Sequence, residues 1–342
     1  MNEKKVPGRT NIREVAAAAG VSHMTVSRVM NNHPSIRPET RNRVLAEIER
    51  LNYRPNSAAR ALASQRYQRV GVLTSSDDEF GPARATQEFA SAAQRADYAV
   101  ATVTLPNDAT SFQEALSQLM SQGVDCLCIV APRLSSLQAL RELRVELPVV
   151  VLGSSEEHGF PAIAVDQFLG TRLLVDHLAE LGHREILHLA GPQDWLDAKA
   201  RSRAFEARAK AWGLRSAPIA EGDWSADFGY DYMTSFSPIG GISAVFAAND
   251  EMALGVMHAC WERGIEVPRE LSVVGFDDIP MAAHFAPPLT TIRQDFRYAA
   301  ERAMDILLAA LDRKAPPAHD ALSVELIQRH STAAPRRDTL TK

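Results

Sequence analysis

Long apolar runs are missing from this 342-residue chain, and no stretch approaches the roughly 20 residues needed to cross a bilayer. The opening MNEKKVPGRTN is basic and leads into a polar-capped segment where a secretory leader would turn apolar, so a cytoplasmic protein is expected. Cysteine is scarce. Cys126 and Cys128 stand two apart in the run CLCIVAP, which as a strand puts both on one buried face, and Cys260 is distant; neither a disulfide framework nor a zinc site follows. Aromatic residues make up only 6%, yet with 46% hydrophobic residues the chain can bury a sizeable core and divide into two or three domains. Catalytic signatures are lacking as well. There is no G-x-G-x-x-G after a strand-like run, no G-x-x-x-x-G-K-[ST], no H-E-x-x-H and no G-x-S-x-G, and no cysteine has an adjacent base. His183 and His188 are expected to flank a strand, a spacing unsuited to a helical metal pair. Neither enzyme activity nor a cofactor is expected.

The net charge of −5 conceals an asymmetry. Residues 1–69 carry 13 Lys and Arg against 5 Asp and Glu, while the remainder carries 24 against 37. A basic head on an acidic body calls for a polyanionic partner. Within the head, Asn11 and Glu14 have capping-box spacing, and Ile12, Val15, Ala16 and Ala19 form one apolar stripe, predicting a helix to about Ala19 that stops at Gly20. Ser22 can cap a second helix over 23–30 with Val26, Val29 and Met30 inward. The short corner at Gly20 has helix-turn-helix length and composition. Pro38 suits the first turn of a third helix, about 38–51, with Val44, Leu45, Ile48 and Leu51 inward, although Arg37 is a poor cap for it. In a helix-turn-helix the second helix enters the major groove by its N-terminal end. His23 and Met24 are therefore first in line for base edges, Thr25, Ser27 and Arg28 can reach phosphates or bases, and Asn31 the backbone.

From Val70 onward, short apolar runs alternate with helix-period segments: VGVLTSS then 83–96, YAVATVTL then 110–121, CLCIVAP then 134–143, VVVLGS, AIAV then 167–181, EILHLAG then 196–212, AVFAAND then 250–263, and LSVVGFDD. This βαβ repetition predicts parallel sheets covered by helices. Ligands in such sheets sit beyond the carboxyl ends of the strands. The polar residues there are the candidates: Ser75, Ser76, Asp166, Asn249, Asp250, Asp277 and Asp278.

TNIREVAAAAGVSHMTVSRVMN, the run LNYRPNSAARALAS, GTRLLVDHLAELGH, the AGP turn at 190–192, GDWSA, AANDEMALG, LSVVGFDD and PPLTTIRQDFR together resemble the lactose-repressor (LacI) family of transcription regulators, in the family's order along nearly the whole chain. The resemblance implies a helix-turn-helix head (1–55), a hinge helix and linker (56–68), and a two-lobed body like the periplasmic sugar-binding proteins (69–332), followed by a short tail (333–342). Lobe one is expected over about 69–164 and 296–323, lobe two over about 165–292 and 324–332. It further implies a homodimer on a palindromic double-stranded DNA operator, with Asn11, Ser22 and the reading helix in contact, and the hinge residues Asn56, Ala59 and Leu62 at the minor groove, Leu62 as a wedge. Carried over to the effector site are Ser75, Glu79, Asp166, Arg201, Trp224, Asn249, Asp277, Gln294 and Phe296. Asn249, Asp277 and Arg201 suit vicinal hydroxyls, and Trp224 offers a flat face to a pyranose.

There are departures from the family pattern. Gly153 stands where the family's namesake carries a sugar-contacting aspartate, and Glu79 and Ala85 replace aliphatic side chains of its pocket wall. A sugar other than a β-galactoside is expected, acting as inducer of a repressor of carbohydrate-utilisation genes. The alternatives are a purine- or nucleoside-type corepressor, or a sugar-binding protein without a DNA role. The tail AAPRRDTLTK has no apolar 3.5-residue repeat, so assembly is expected to stop at two chains.

Overall fold

The structure, a computed structural model, describes residues 10–30, 33–53, 66–75, 78–105, 109–130, 133–143, 145–153, 159–216, 219–235, 241–316 and 322–336. The expected hinge with Asn56, Ala59 and Leu62 lies outside the described residues, as do Asn31 and Ser76. The chain divides into two compact units, 1–67 and 68–342.

The first unit is a three-helix head. Helix α1 (Ile12–Ala18) starts where the Asn11 side-chain oxygen accepts from the backbone amides of Arg13 and Glu14, and Glu14 Oε1 accepts from the Asn11 side-chain Nδ2 at 2.7 Å. Gly20, at φ 62°, makes the left-handed corner that a side chain would disfavour. Helix α2 (His23–Met30) follows, capped by the Ser22 hydroxyl on the Thr25 amide at 3.1 Å. Helix α3 (Pro38–Arg50) opens on proline at a position whose amide has no intrahelical partner, and Arg37 gives it no side-chain cap. Val15, Ala16, Ala19, Val26, Val29 and Val44 form the head's core, with Met30, Ile48 and Leu51 packed around it. Leu45 does not join them and is 47% exposed, contrary to expectation. Val44, Ile48 and Leu51 follow one another at helical spacing, whereas Leu45 is turned about 100° from Val44 and leaves that stripe.

The second unit contains two parallel sheets. Strands β1 (Arg69–Thr74), β2 (Ala99–Thr104), β3 (Cys126–Val130), β4 (Val149–Leu152) and β5 (Ala162–Ile163) make the first, in the order β2-β1-β3-β4-β5. Its inner strands read as unbroken apolar runs because both faces are covered. Helices α4 (Phe80–Arg95) and α11 (Phe296–Leu311) pack on the face that includes Val70, Val72, Cys126 and Cys128. Helices α5 (Ala109–Ser121) and α6 (Leu134–Glu142) pack on the face of Leu73, Leu127 and Ile129. The two cysteines thus share one buried face, as their spacing predicts. Each fully buried Val, Leu or Ile in these layers contributes about 1.5–3 kcal/mol relative to exposure.

The second sheet runs β10 (Ser272–Val274), β9 (Ala244–Ala247), β6 (Glu185–Ala190), with β7 (Arg215–Ser216) and β8 (Ala220–Glu221) beside β6. One face takes α7 (Gln167–Glu180) and α8 (Leu196–Trp212); the other takes α9 (Ala226–Ser235) and α10 (Asp250–Glu262). Strand β11 (Thr291–Gln294) lies beside this sheet before α11 crosses to the first, and β12 (Val324–Ile327) returns afterwards to pair with it antiparallel. His188 does not flank a strand. It lies inside β6, fully buried, stacked on Phe246 at 4.5 Å with Nδ1 donating to the Phe246 carbonyl, and burial pushes its pKa down to about 4. No described helix is long and apolar enough to cross a membrane.

Candidate effector cleft and nucleic-acid face

Strand order reverses between β1 and β3 in the first sheet and between β6 and β9 in the second. A ligand crevice opens at such switch points, beyond the carboxyl ends of the strands. Here both sheets direct those ends at one cleft. Glu79, Arg201, Trp224, Asn249, Asp277, Gln294 and Phe296 line it together, seven of the nine residues expected there.

Arg201, on α8 and 4% exposed, is the centre of the polar set. Its Nε donates to Gln167 at 2.8 Å, Nη1 donates to the Ala248 carbonyl, Nη2 stands 3.6 Å from Asp277, and the guanidinium lies 3.8 Å over the Phe276 ring. Gln294 Nε2 donates to Asp277 Oδ1 at 2.5 Å. Even so the Asp277 carboxyl is raised from 3.8 to about 7: burial outweighs the Arg201 charge, and Glu251 and Asp197 add to the rise. Asp277 also sits at φ 115°, a sparsely populated region for a residue with a Cβ. The ion pair therefore coexists with a carboxyl poised to titrate near neutrality.

Asn249 caps α10 through Met252 N, and its amide donates to the Trp224 carbonyl at 2.9 Å and to Glu251 at 3.2 Å. These bonds occupy both of its donors, leaving an accepting lone pair for a ligand. The indole of Trp224 lies so close to Gly191 that a Cβ there would fall 2.2 Å from the ring. It meets Trp195 edge-on at 5.8 Å. The N–H groups of both indoles are buried without a hydrogen-bond partner, and both residues line the cleft. Unsatisfied donors in a concave site are what an oxygen-rich ligand would satisfy.

Two expected residues stand elsewhere. Asp166 is exposed and spends its carboxylate capping α7 at the Leu169 amide, 2.8 Å away. Alternation along the strand-to-helix corner turns its neighbours Val165 and Gln167 to the cleft instead. Ser75 is buried at the end of β1, with its amide on the Val130 carbonyl, outside the lining residues. Sequence reading missed Gln167, Trp195 and Asp197. The i, i+4 spacing of Asp197 and Arg201 on one helix is a signal that points to Asp197. Gln167 and Trp195 carry no such mark.

The head presents the second surface. Ser22 ahead of α2 and His23, Met24 and Arg28 on it are exposed, Met24 at 57%, and Thr25 and Ser27 are half-buried. Asn11 is exposed but engaged in capping α1. Val26 and Val29 anchor the opposite side of α2, so the exposed set is held on a rigid element.

The family model of bacterial regulatory proteins, lacI family, matches residues 11–56, and that of the periplasmic binding protein-like domain matches 175–332. The lactose operon repressor of Escherichia coli strain K12 is 35% identical over 333 residues, covering 95% of this chain and 91% of that protein. A solved lac repressor dimer bound to operator and the anti-inducer ONPF superposes with a TM-score of 0.85 at 33% identity, over 95% of this chain and 99% of that one. The transcriptional regulator CelR in its cellobiose complex gives 0.69 at 27% identity, over 94% and 100%.

Proposed function

The chain belongs to the lacI family of bacterial regulatory proteins, and from that premise we propose that it is a dimeric repressor whose grip on a palindromic operator is released by a sugar in the cleft. The observation that carries the sugar reading is the cleft's composition. A guanidinium, a carboxyl and two amides, from Arg201, Asp277, Asn249 and Gln294, face an indole wall at Trp224, the combination that holds hydroxyls on one side of a ring and C–H groups on the other. The CelR–cellobiose complex supports a sugar of this kind.

DNA is read by α2. His23 and Met24 address base edges, Arg28 addresses phosphate or guanine, and the basic charge of the head supplies salt-dependent affinity. Two copies related by a two-fold axis match a palindromic site. The linker 56–68 joins the two functions. An effector that alters the angle between the lobes separates the linkers, and the coupling free energy appears as lost operator affinity.

Selection of binding sites from random duplexes by the full-length protein tests the DNA half. Enrichment of a two-fold symmetric sequence is expected, and no enrichment contradicts it. A thermal-shift screen tests the other half: stabilisation by a sugar is expected, whereas stabilisation by purines alone would favour a purine-responsive regulator.

A further inference from the structure

The two lobes of the body touch at a compact junction beside the cleft. Arg133 and Leu134 follow β3, the central strand of the first sheet, and open α6; Asp194, Trp195 and Leu196 follow β6 of the second sheet and open α8. Arg133 and Trp195 pair as an isolated antiparallel bridge, and the Leu134 amide donates to the Asp194 carbonyl at 3.0 Å. That amide belongs to the first turn of α6, which has no intrahelical acceptor for it, and Arg133 offers no side-chain cap; the opposite lobe supplies the acceptor. Arg133 Nη1 donates to Asp194 Oδ2 at 2.5 Å, and its guanidinium lies 5.1 Å over the Trp195 ring. Leu196 is buried in the apolar cluster of the first sheet, with Leu137 and Leu140 of α6, although the rest of its helix packs on the second.

Trp195 connects this junction to the cleft. It lines the cleft, is 4% exposed, and its N–H has no hydrogen-bond partner among the described residues. A buried donor without an acceptor raises the free energy of the empty site, and an effector oxygen lowers it. The same ring is held by the Arg133 guanidinium and by the edge contact with Trp224. The ion pair alone would hold little, because the Asp194 carboxylate is about half in water and salt screens it. The cation over the ring and the backbone bond add what the ion pair lacks.

We infer that Arg133, Asp194 and Trp195 form a clasp between the lobes, and that Trp195 is a further effector-binding residue whose N–H meets an effector oxygen and so keeps the ring under Arg133. This rests on the reading of the cleft as the effector site. Arg133 and Asp194 are outside the lining residues, so they are positioning residues that act through the indole. The linkage is reciprocal: an effector on Trp195 tightens the clasp, and an intact clasp raises effector affinity by the same factor. Clasp strength thereby sets how readily the empty body opens.

Hydrogen exchange of the full-length protein, followed by mass spectrometry in segments that contain Leu134, reads the clasp directly, because that amide is bonded across it. In the free protein Arg133→Met keeps the stem but removes the charge, and is expected to speed this exchange about fivefold or more. Asp194→Asn should speed it about twofold or more, and should add nothing on the Arg133→Met background, since the two side chains share one interaction. Segments within β1 and β6 should not change. Cellobiose, galactose, glucose and hypoxanthine are then added as probes, with affinities from calorimetry. At least one is expected to slow Leu134 exchange in wild type and to bind Trp195→Phe, which keeps an aromatic face and lacks the N–H, about fivefold or more weakly. At saturation that probe should no longer slow Leu134 exchange in Trp195→Phe, an outcome that a merely structural indole would not produce.

The clasp is overturned if Arg133→Met and Asp194→Asn exchange like wild type. Its link to the effector is overturned if none of the four probes binds, or if Trp195→Phe keeps both wild-type affinity and the slowing. A sugar that binds without slowing Leu134 exchange also overturns the link and leaves the sugar-responsive reading in place. Slowing by hypoxanthine alone supports the link and overturns the sugar reading.

Discussion

Asp277→Asn offers a quantitative probe of the cleft. Its carboxyl is raised from 3.8 to about 7, chiefly by burial, despite Arg201 at 3.6 Å. A folded value above the unfolded one means that the native state holds the proton more tightly. Ionised Asp277 therefore costs stability above pH 7, and the cost is recovered as pH falls toward 4. At roughly a kcal/mol or more per pKa unit, the cost is on the order of several kcal/mol near pH 8 and about a third to a half of that near pH 5. Asparagine carries no charge at either pH, and it tolerates positive φ as well as aspartate does. The variant should therefore gain on the order of 2–3 kcal/mol relative to wild type between pH 5 and pH 8. Urea unfolding of both proteins at the two pH values measures this, and any constant cost of the substitution cancels in the comparison. His183 and His188, whose pKa values burial pushes down to about 4, change both proteins alike. A gap that is flat with pH would refute the reasoning. So would wild type gaining on the variant as pH rises, because the Arg201 pair would then dominate over burial.

Three further outcomes are expected. Met24→Gln should change base preference in a binding-site selection more than it changes total affinity, since a methionine contact to a thymine methyl is replaced by amide hydrogen bonds, whereas Arg28→Ala should cost about 1–3 kcal/mol of operator binding; unchanged preference for Met24→Gln would remove α2 from the major groove. Gly191→Ala puts a methyl 2.2 Å from the Trp224 ring, so the indole must move and effector affinity should fall at least about tenfold; unchanged affinity in calorimetry would mean that Trp224 does not contact the effector. Sedimentation at micromolar protein should report about twice the 37.4 kDa chain mass, and a stable species of four chains persisting after deletion of residues 333–342 would show that assembly does not stop at two.

Much of the fold is legible in the residues because parallel sheets covered on both faces leave a strong imprint. VGVLT, CLCIV and AVFA are unbroken apolar runs, and each is a strand. The head was equally clear, because Asn11, Ser22 and Pro38 mark helix starts by local chemistry. Helices α9 and α11 are absent from the elements that the periodicity predicts. No run of the VGVLT kind introduces α9, and α11 follows the exposed-edged TIRQ strand, so neither stands out as part of a βαβ repeat. His188 was misplaced because a polar side chain inside EILHLA looks like a boundary, while packing on Phe246 and a carbonyl partner allow it inside. In the cleft, charged and aromatic residues were legible through the family resemblance. The division of labour between Asp166 and Gln167 was not, because one residue of register decides which caps the helix and which faces the ligand.

The most direct test of the account is fluorescence anisotropy of a selected palindromic duplex, titrated with full-length protein in the presence and absence of the sugar that best stabilises it, for wild type and Arg201→Ala. One chain that couples its cleft to its DNA grip predicts that the sugar weakens wild-type binding at least about tenfold, a coupling of about 1.4 kcal/mol or more, and leaves Arg201→Ala on the DNA at every sugar concentration. If wild type holds the duplex with unchanged affinity while calorimetry shows the cleft saturated with that sugar, the two sites are uncoupled and the account is wrong.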